Sequence, residues 1–243
     1  LSFPVNFNNI SATGTNNLDK TLNKVTYEPR LFMRYDLTSF WKFSTFAGIT
    51  NSFGSINDVY NGFILLSAKN LSSRNTDIQQ TRSNFVGSRL EYRNPLNNIF
   101  FNVSYNFNDR TNNVTFLNEL DEASQQFIIK GYNLENNSKT NSARTELGKY
   151  FPKFKTNASV GYNYSLNNYQ QLPANSTPTE SSFIDVEGVN QGVSVKFNNN
   201  YFSWLSVDYN ANWNFNNTKS PDDARFNNKT NSFNHALSAY VYP

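Results

Sequence analysis

Residues 201–217 read YFSWLSVDYNANWNFNN, and every second residue belongs to a different chemistry. Leu205, Val207, Tyr209, Ala211, Trp213 and Phe215 alternate with Ser206, Asp208, Asn210, Asn212, Asn214 and Asn216. In an extended chain successive side chains point to opposite faces, so this period of two predicts a long strand. One face would be aromatic and aliphatic, the other almost pure amide. A helix of 3.6 residues per turn would scatter both sets around its axis, so the pattern excludes one.

The pattern recurs. Phe101, Val103, Tyr105 and Phe107 alternate with Asn102, Ser104, Asn106 and Asn108. Ala158, Val160, Tyr162, Tyr164 and Leu166 alternate with Asn157, Ser159, Gly161, Asn163 and Ser165. With weaker versions elsewhere, nine strands are expected at 31–37, 41–50, 84–93, 99–108, 141–150, 155–166, 188–198, 201–216 and 232–242, after a leading loop over 1–28. Tight turns are expected around LTS (37–39), NPLNN (94–98), FPK (151–153) and NNN (198–200), where Pro and Asn supply turn chemistry. Long polar connections fall at 51–83, 109–140, 167–187 and 217–231. Short alternating with long is the order of an outer-membrane barrel, whose hairpins keep short turns on one side and long loops on the other.

Composition narrows the class further. Charged residues make up 16% of the 243, against roughly 25% in ordinary soluble domains. Amide takes their place, with 43 Asn. Aromatic residues reach 16%, too many for a disordered chain. The net charge of +3 is spread without a basic run, which argues against nucleic acid. There is no Cys, which excludes disulfides and thiolate sites. The longest apolar run, FILLSA at 63–68, is far short of the ~20 residues of a spanning helix. That excludes only the helical way of crossing a membrane.

Backbone groups in lipid must pair within the protein, so a sheet can enter a bilayer only as a closed barrel. The fold expected is therefore all-β, an antiparallel transmembrane β-barrel segment. Leu205, Val207, Tyr209, Trp213, Phe215, Phe101, Val103, Tyr105, Val160 and Tyr162 would face lipid. Asp208, Asn210, Asn212, Asn214, Asn102, Ser104, Asn106, Arg89 and Glu91 would face the lumen. Trp41, Tyr92, Tyr164 and Trp213, near expected strand ends, would sit at headgroup level. A cation at Val207 is expected to cost ~2–4 kcal/mol as at the midplane, and one at Asn210 to be tolerated. Arg89, Glu91 and Arg93 share one face of their strand, and Arg144 and Glu146 share one face of theirs.

Three stretches, residues 27–71, 90–108 and 146–164, resemble the barrel portion of TonB-dependent outer-membrane receptors of the Bacteroidetes type. The likeness is best at the turn Tyr92-Arg93-Asn94-Pro95 with the aromatic strand after it, and at the turn Gly148-Lys149-Tyr150-Phe151. It implies a 22-stranded barrel around a plug domain, importing bulky nutrients with energy from the inner membrane. It also implies outer-membrane lipid and lipopolysaccharide around the wall, long loops outside the cell, and a surface lipoprotein or other envelope subunits as partners. About nine strands, no plug and an ending in AYVYP without a terminal aromatic depart from that pattern. The chain is accordingly expected to be the middle of a longer receptor, with the plug and the energy-coupling contact elsewhere. A small barrel of eight or so strands is the alternative.

Residues for catalysis are sparse, and neither an enzyme nor a cofactor or metal is expected. His235 lies near Ser232, Asn234 and Ser238, a hydrolase-like set, but falls on the face of Phe233, Leu237, Ala239 and Val241. Glu119, Asp121 and Glu122, and Asp222 and Asp223, lack the spacing of a calcium loop. Asn-x-Ser/Thr triplets such as Asn9–Ser11, Asn113–Thr115 and Asn157–Ser159 are expected by chance in so Asn-rich a chain. Gly62, Gly87 and Gly188 stand alone and form no phosphate loop. The function expected is uptake through the barrel. A scaffold barrel in an assembly or secretion complex is the alternative, and an outer-membrane hydrolase the remote one.

Overall fold

The computed structural model describes the chain except residues 15–17, 61, 122–124, 174–177, 180–181 and 243. Nine strands form one sheet: β3 (Arg30–Asp36), β4 (Trp41–Phe53), β7 (Gln80–Asn94), β8 (Ile99–Asn112), β11 (Asn136–Phe151), β12 (Thr156–Gln171), β13 (Ile184–Phe202), β14 (Leu205–Lys219) and β15 (Asn228–Val241). They lie in the order β15-β14-β13-β12-β11-β8-β7-β4-β3. All eight pairings are antiparallel. Among the described residues the sheet is open, with nothing paired along the outer side of β15 or, beyond Arg30, of β3.

Local chemistry closes the short turns where Pro, Asn and Thr stand. Thr38 Oγ1 accepts from the backbone N–H of Phe40 and Trp41 at 3.2 and 3.1 Å. Asn94 Oδ1 accepts from Leu96 and Asn97 at 3.0 and 3.2 Å, the Asx-turn device. Pro152–Phe154 forms a single 3-10 turn ended by Lys155 in the left-handed region, φ 44°. The last turn falls later than expected: NNN (198–200) lies within β13, where Asn199 Oδ1 accepts from Tyr201 N–H at 3.3 Å. The chain turns at Ser203–Trp204 before β14 begins at Leu205.

At the other end the strands run several residues beyond the sequence expectation, and the connections are folded. The expected leading loop over 1–28 is instead a hairpin, β1 (Val5–Gly14) with β2 (Leu18–Tyr27). Its apolar residues change face midway: Val5 and Phe7 lie on one side, Ile10 and Ala12 on the other. Strict alternation is therefore absent. Ala12 joins Val59 and Ile78 in a small core bordered by Ile10, Leu22 and Tyr60. The connections after β4 and β8 supply β5 (Ile64–Ser67), β6 (Asn70–Ser73), β9 (Thr115–Asp121) and β10 (Gln126–Tyr132). These form a second sheet, β5-β6-β10-β9, in which β6 and β10 are parallel. The short helix α1 (Ile56–Val59) is closed by a Ser55–Asp58 capping box. Asp58 also pairs with Arg74, whose guanidinium lies 4.6 Å from the centre of the Phe116 ring.

Little of the main sheet is covered. Its strands contact their ladder neighbours, and no described element packs extensively across either face. All seven residues of β3 are exposed, as are all but one of β15. The chain exposes 15506 Å², whereas a compact monomer of 27.9 kDa exposes roughly 11,000 Å². A sandwich would have buried these aromatic rings between two layers; here they stand on the surface. Among the described residues no helix is long and apolar enough to cross a membrane, a fact that says nothing about crossing by strands.

Candidate functional surface

The candidate site is the sheet itself, because register sorts its side chains into two chemistries. One row of facing residues crosses all nine strands as Phe233, Trp213, Val193, Tyr162, Thr145, Val103, Leu90, Phe43 and Tyr35. One residue along each strand, on the other face, the row reads Ser232, Asn214, Gly192, Asn163, Arg144, Ser104, Arg89, Ser44 and Arg34. Leu205, Val207, Tyr209, Trp213, Phe215, Phe101, Val103, Tyr105, Val160 and Tyr162 all share the first face. Asp208, Asn210, Asn212, Asn214, Asn102, Ser104, Asn106, Arg89 and Glu91 all share the second. The apolar face is bare: Val160 is 52% exposed, Leu147 55% and Leu237 69%.

On β12 and β8 the apolar run is five alternating positions long, Ala158 to Leu166 and Ile99 to Phe107, and on β13 the matching stretch from Phe197 to Val189 is interrupted by Gln191. Eight residue steps of ~3.3 Å make each run about 26 Å long. Beyond it, toward the long connections, the same face turns charged or amide as Glu187, Asn168, Lys139, Asp109 and Asn84. Rings gather at the short-turn end: Trp41 lies 4.7 Å from Tyr92, and Phe202 lies 5.1 Å from Tyr201 and 5.6 Å from Trp204. Tyr164 and Trp213, by contrast, lie in mid-strand, because β12 and β14 run further outward than the sequence pattern indicated. Val207 is one pleat from the end of its apolar run at Leu205, and the middle of the band passes through Val193 and Tyr162. Were this face in lipid, the midplane cost expected at Val207 would fall at Val193 instead.

The turns step across the sheet in one direction. Phe202 and Leu205 close the β13–β14 hairpin, and the next closing pair, Phe151 and Thr156, lies two residues further in. Asn94 and Ile99 lie two further again, and Asp36 and Lys42 three more. Seven residues of drift over six strand spacings is about 23 Å along the strands for about 29 Å across them. A line through the four turns thus leans about 39° from the perpendicular to the strands.

The amide face carries an ionic belt that sequence reading found only in part. Arg34 and Asp36, Arg89 and Glu91, and Arg144 and Glu146 form three Arg-x-acid pairs on alternate strands β3, β7 and β11. Their nitrogen–oxygen distances are 3.8, 2.6 and 3.9 Å. The arginines stand at intervals of 55 residues, and that repeat was the available signal. Arg34, Ser44, Arg89, Ser104 and Arg144 make one row, and Asp36, Lys42, Glu91, Asn102 and Glu146 the next. Exposed pairs of this kind contribute ~0–1 kcal/mol each, so their charge matters more than their stabilisation. Close cross-strand cover accompanies them: a Cβ on Gly148 would come within 1.9 Å of the Phe100 ring, and one on Gly87 within 2.6 Å of Asn106 Oδ1.

The other sequence candidates are absorbed by local structure. His235 stacks on Phe233 at 5.3 Å on the apolar face, so alternation points it away from Ser232, Asn234 and Ser238. Glu119 binds Lys130 at 2.5 Å and Tyr132 at 2.8 Å. Burial opposes its charge, but these two bonds hold its carboxyl below the usual range. Burial and the Glu119 carboxylate push the Tyr132 hydroxyl up to about 12. Asp222 accepts from Asp185 N–H at 3.2 Å, and Asp223 pairs with Arg225 at 2.6 Å. Asp121 ends β9, and Glu122 lies outside the described residues. Compared with known proteins, the chain matches no family model and no curated sequence, so its two-faced sheet is the guide to what it does.

Proposed function

We propose that this sheet is part of the wall of an outer-membrane β-barrel that serves as a transport receptor, related to the TonB-dependent type. Its apolar face meets lipid and lipopolysaccharide, and its amide face lines a lumen that takes a bulky, polar nutrient. The short turns lie on the periplasmic side and the folded connections outside the cell, available to a surface lipoprotein. Coupling to inner-membrane energy belongs to regions other than these strands. The chain's own chemistry here is separation of environments and not catalysis.

The turn drift is the observation that carries this reading. Turns at one face of a membrane share one level, and a level that leans about 39° across the strands means strands tilted by the same angle from the normal. Outer-membrane barrels tilt by ~35–45°. At that tilt, apolar runs of about 26 Å stand roughly 20 Å tall, near the ~25 Å apolar band of such barrels. A water-soluble sheet has no reason to stagger its hairpins in this way while leaving bare a face that is apolar but for residues such as Thr145, Lys149 and Gln191.

Cysteine labelling in reconstituted bilayers tests it. A water-soluble, membrane-impermeant thiol reagent is expected to modify Asn214→Cys and to leave Phe215→Cys unmodified, although the two are adjacent. Equal labelling would remove the lipid-facing assignment. Deleting the gene in its host separates transport from scaffolding: loss of uptake of one nutrient with the envelope intact supports transport, whereas failed assembly of other envelope proteins supports a scaffold.

A further inference from the structure

Resting on that reading, we infer that the gap between β15 and β3 is filled by an odd number of further antiparallel strands. The two edges do not close on each other or on a second copy of this chain. Direction decides this. Eight antiparallel steps separate β15 from β3, so the two edge strands run the same way. Joining them directly would create a parallel seam in a wall whose pairings are otherwise all antiparallel, the only kind bacterial single-chain barrels use. A second copy related by rotation about the barrel axis meets the same obstacle, since β15 would again face a β3 of equal direction. A twofold axis lying in the membrane would restore antiparallel pairing, but it would send the short turns of the two copies to opposite sides.

The edges themselves require cover. Arg30 exchanges two backbone hydrogen bonds with Ser2 at 2.9 Å, in an antiparallel bridge. Ser2–Arg30 keeps the register of the β1–β2 hairpin, so the first rung of a neighbouring strand is already laid beside β3. Backbone groups alternate in direction along a strand. The N–H and C=O of Phe32, Arg34 and Asp36 therefore point outward like those of Arg30, and no described residue meets them. On the far side β15 offers fourteen residues in unbroken register with β14, with no proline and with Lys229 as its one Lys, Arg, Asp or Glu. Edges that face water are shortened, bulged or charged; β15 is none of these, while β3 is seven residues long and carries Arg30, Arg34 and Asp36. In lipid, every outward backbone group needs a partner. The neighbour of β3 is thus a strand running antiparallel to it in line with Leu1–Pro4, with apolar residues opposite Leu31, Met33 and Tyr35.

Two measurements on the protein extracted from outer membranes test this. Hydrogen–deuterium exchange should find the outward amides of Phe32, Arg34 and Asp36, and those along β15, with uptake as low as in the interior strands β12 and β13. Fast uptake at either edge, with β12 and β13 still protected in detergent, would overturn the closure while leaving the membrane reading standing. Cysteine pairs combining position 31, 33 or 35 with position 233, 235 or 237 should give no disulfide on oxidation, within one chain or between chains. A disulfide in any combination would overturn the proposal by placing the edges side by side. Solubility of the extracted protein without detergent would instead sink the barrel reading itself.

Discussion

Val193→Arg places a cation at the centre of the apolar face. Val193 sits in β13 between Tyr162 and Trp213, four residue steps from both Phe197 and Val189, a stretch whose one polar member on that face is Gln191. At a tilt of about 39° those steps put it roughly 10 Å from each edge of the band, which in the proposed wall is close to the bilayer midplane. An arginine there costs ~2–4 kcal/mol, falling to ~0–1 near the interface. The folding equilibrium constant should then fall by roughly 30- to 700-fold, at ~1.4 kcal/mol per factor of ten. Val207→Arg, one pleat from its end of the band, should lose only the interfacial ~0–1 kcal/mol. Asn212→Arg lies on the other face, opposite Asn234 and Ser194, and should stay within ~0.5 kcal/mol of the parent. Urea unfolding in lipid vesicles, followed by gel mobility of unheated samples, reads all three. Equal destabilisation by Val193→Arg and Asn212→Arg would refute the assignment of faces. Equal cost at Val193 and Val207 would refute the tilt and the placement of the band.

Gly148→Ala pushes a methyl group into the Phe100 ring and should cost ~1–3 kcal/mol by overpacking; a Phe100→Ala background should remove most of that penalty in a double-mutant cycle. Glu119→Gln should bring the Tyr132 hydroxyl down from about 12 toward its ordinary value near 10, read by ultraviolet absorbance titration. Because the folded carboxyl of Glu119 is held low, its bonds to Lys130 and Tyr132 stabilise the outer sheet above the ordinary carboxylate range. That contribution is lost as pH falls through the lowered value, so proteolytic nicking between β9 and β10 should rise in acid. Because Tyr132 is held high, its contribution is complete below about 10 and fades as pH rises toward 12. Arg89→Ala should change stability by less than about 1 kcal/mol, since Arg89 is exposed and Glu91 only half-buried.

Much of the main sheet could be read from the chain because a single period governs it. Where Leu205 through Asn216 alternate without a break, strand, face and neighbour chemistry follow together. Sequence expectation stopped short at the outer ends, since residues such as Asn108–Asn112 and Asn167–Gln171 are polar on both faces. There the ladder continues without an apolar signal. The β1–β2 hairpin was hidden for a related reason, its apolar residues switching face between Phe7 and Ile10. The strands of β5-β6-β10-β9 are short, and their pairing joins segments more than fifty residues apart. Tyr164 and Trp213 could not be placed at a depth from strand ends that were themselves misjudged. Arg89, Glu91, Arg144 and Glu146 were visible as same-face charges, but their alignment with Arg34 and Asp36 into rows depends on register, which the turns set.

Trp213 offers the most direct test of the claim that the bare apolar face meets lipid. With Trp41 and Trp204 replaced by Phe, the protein retains one indole, in mid-strand on that face. In vesicles made with lipids brominated on their acyl chains, its fluorescence should be strongly quenched, and aqueous iodide should have little effect. Quenching by iodide with no response to the brominated chains would contradict the account.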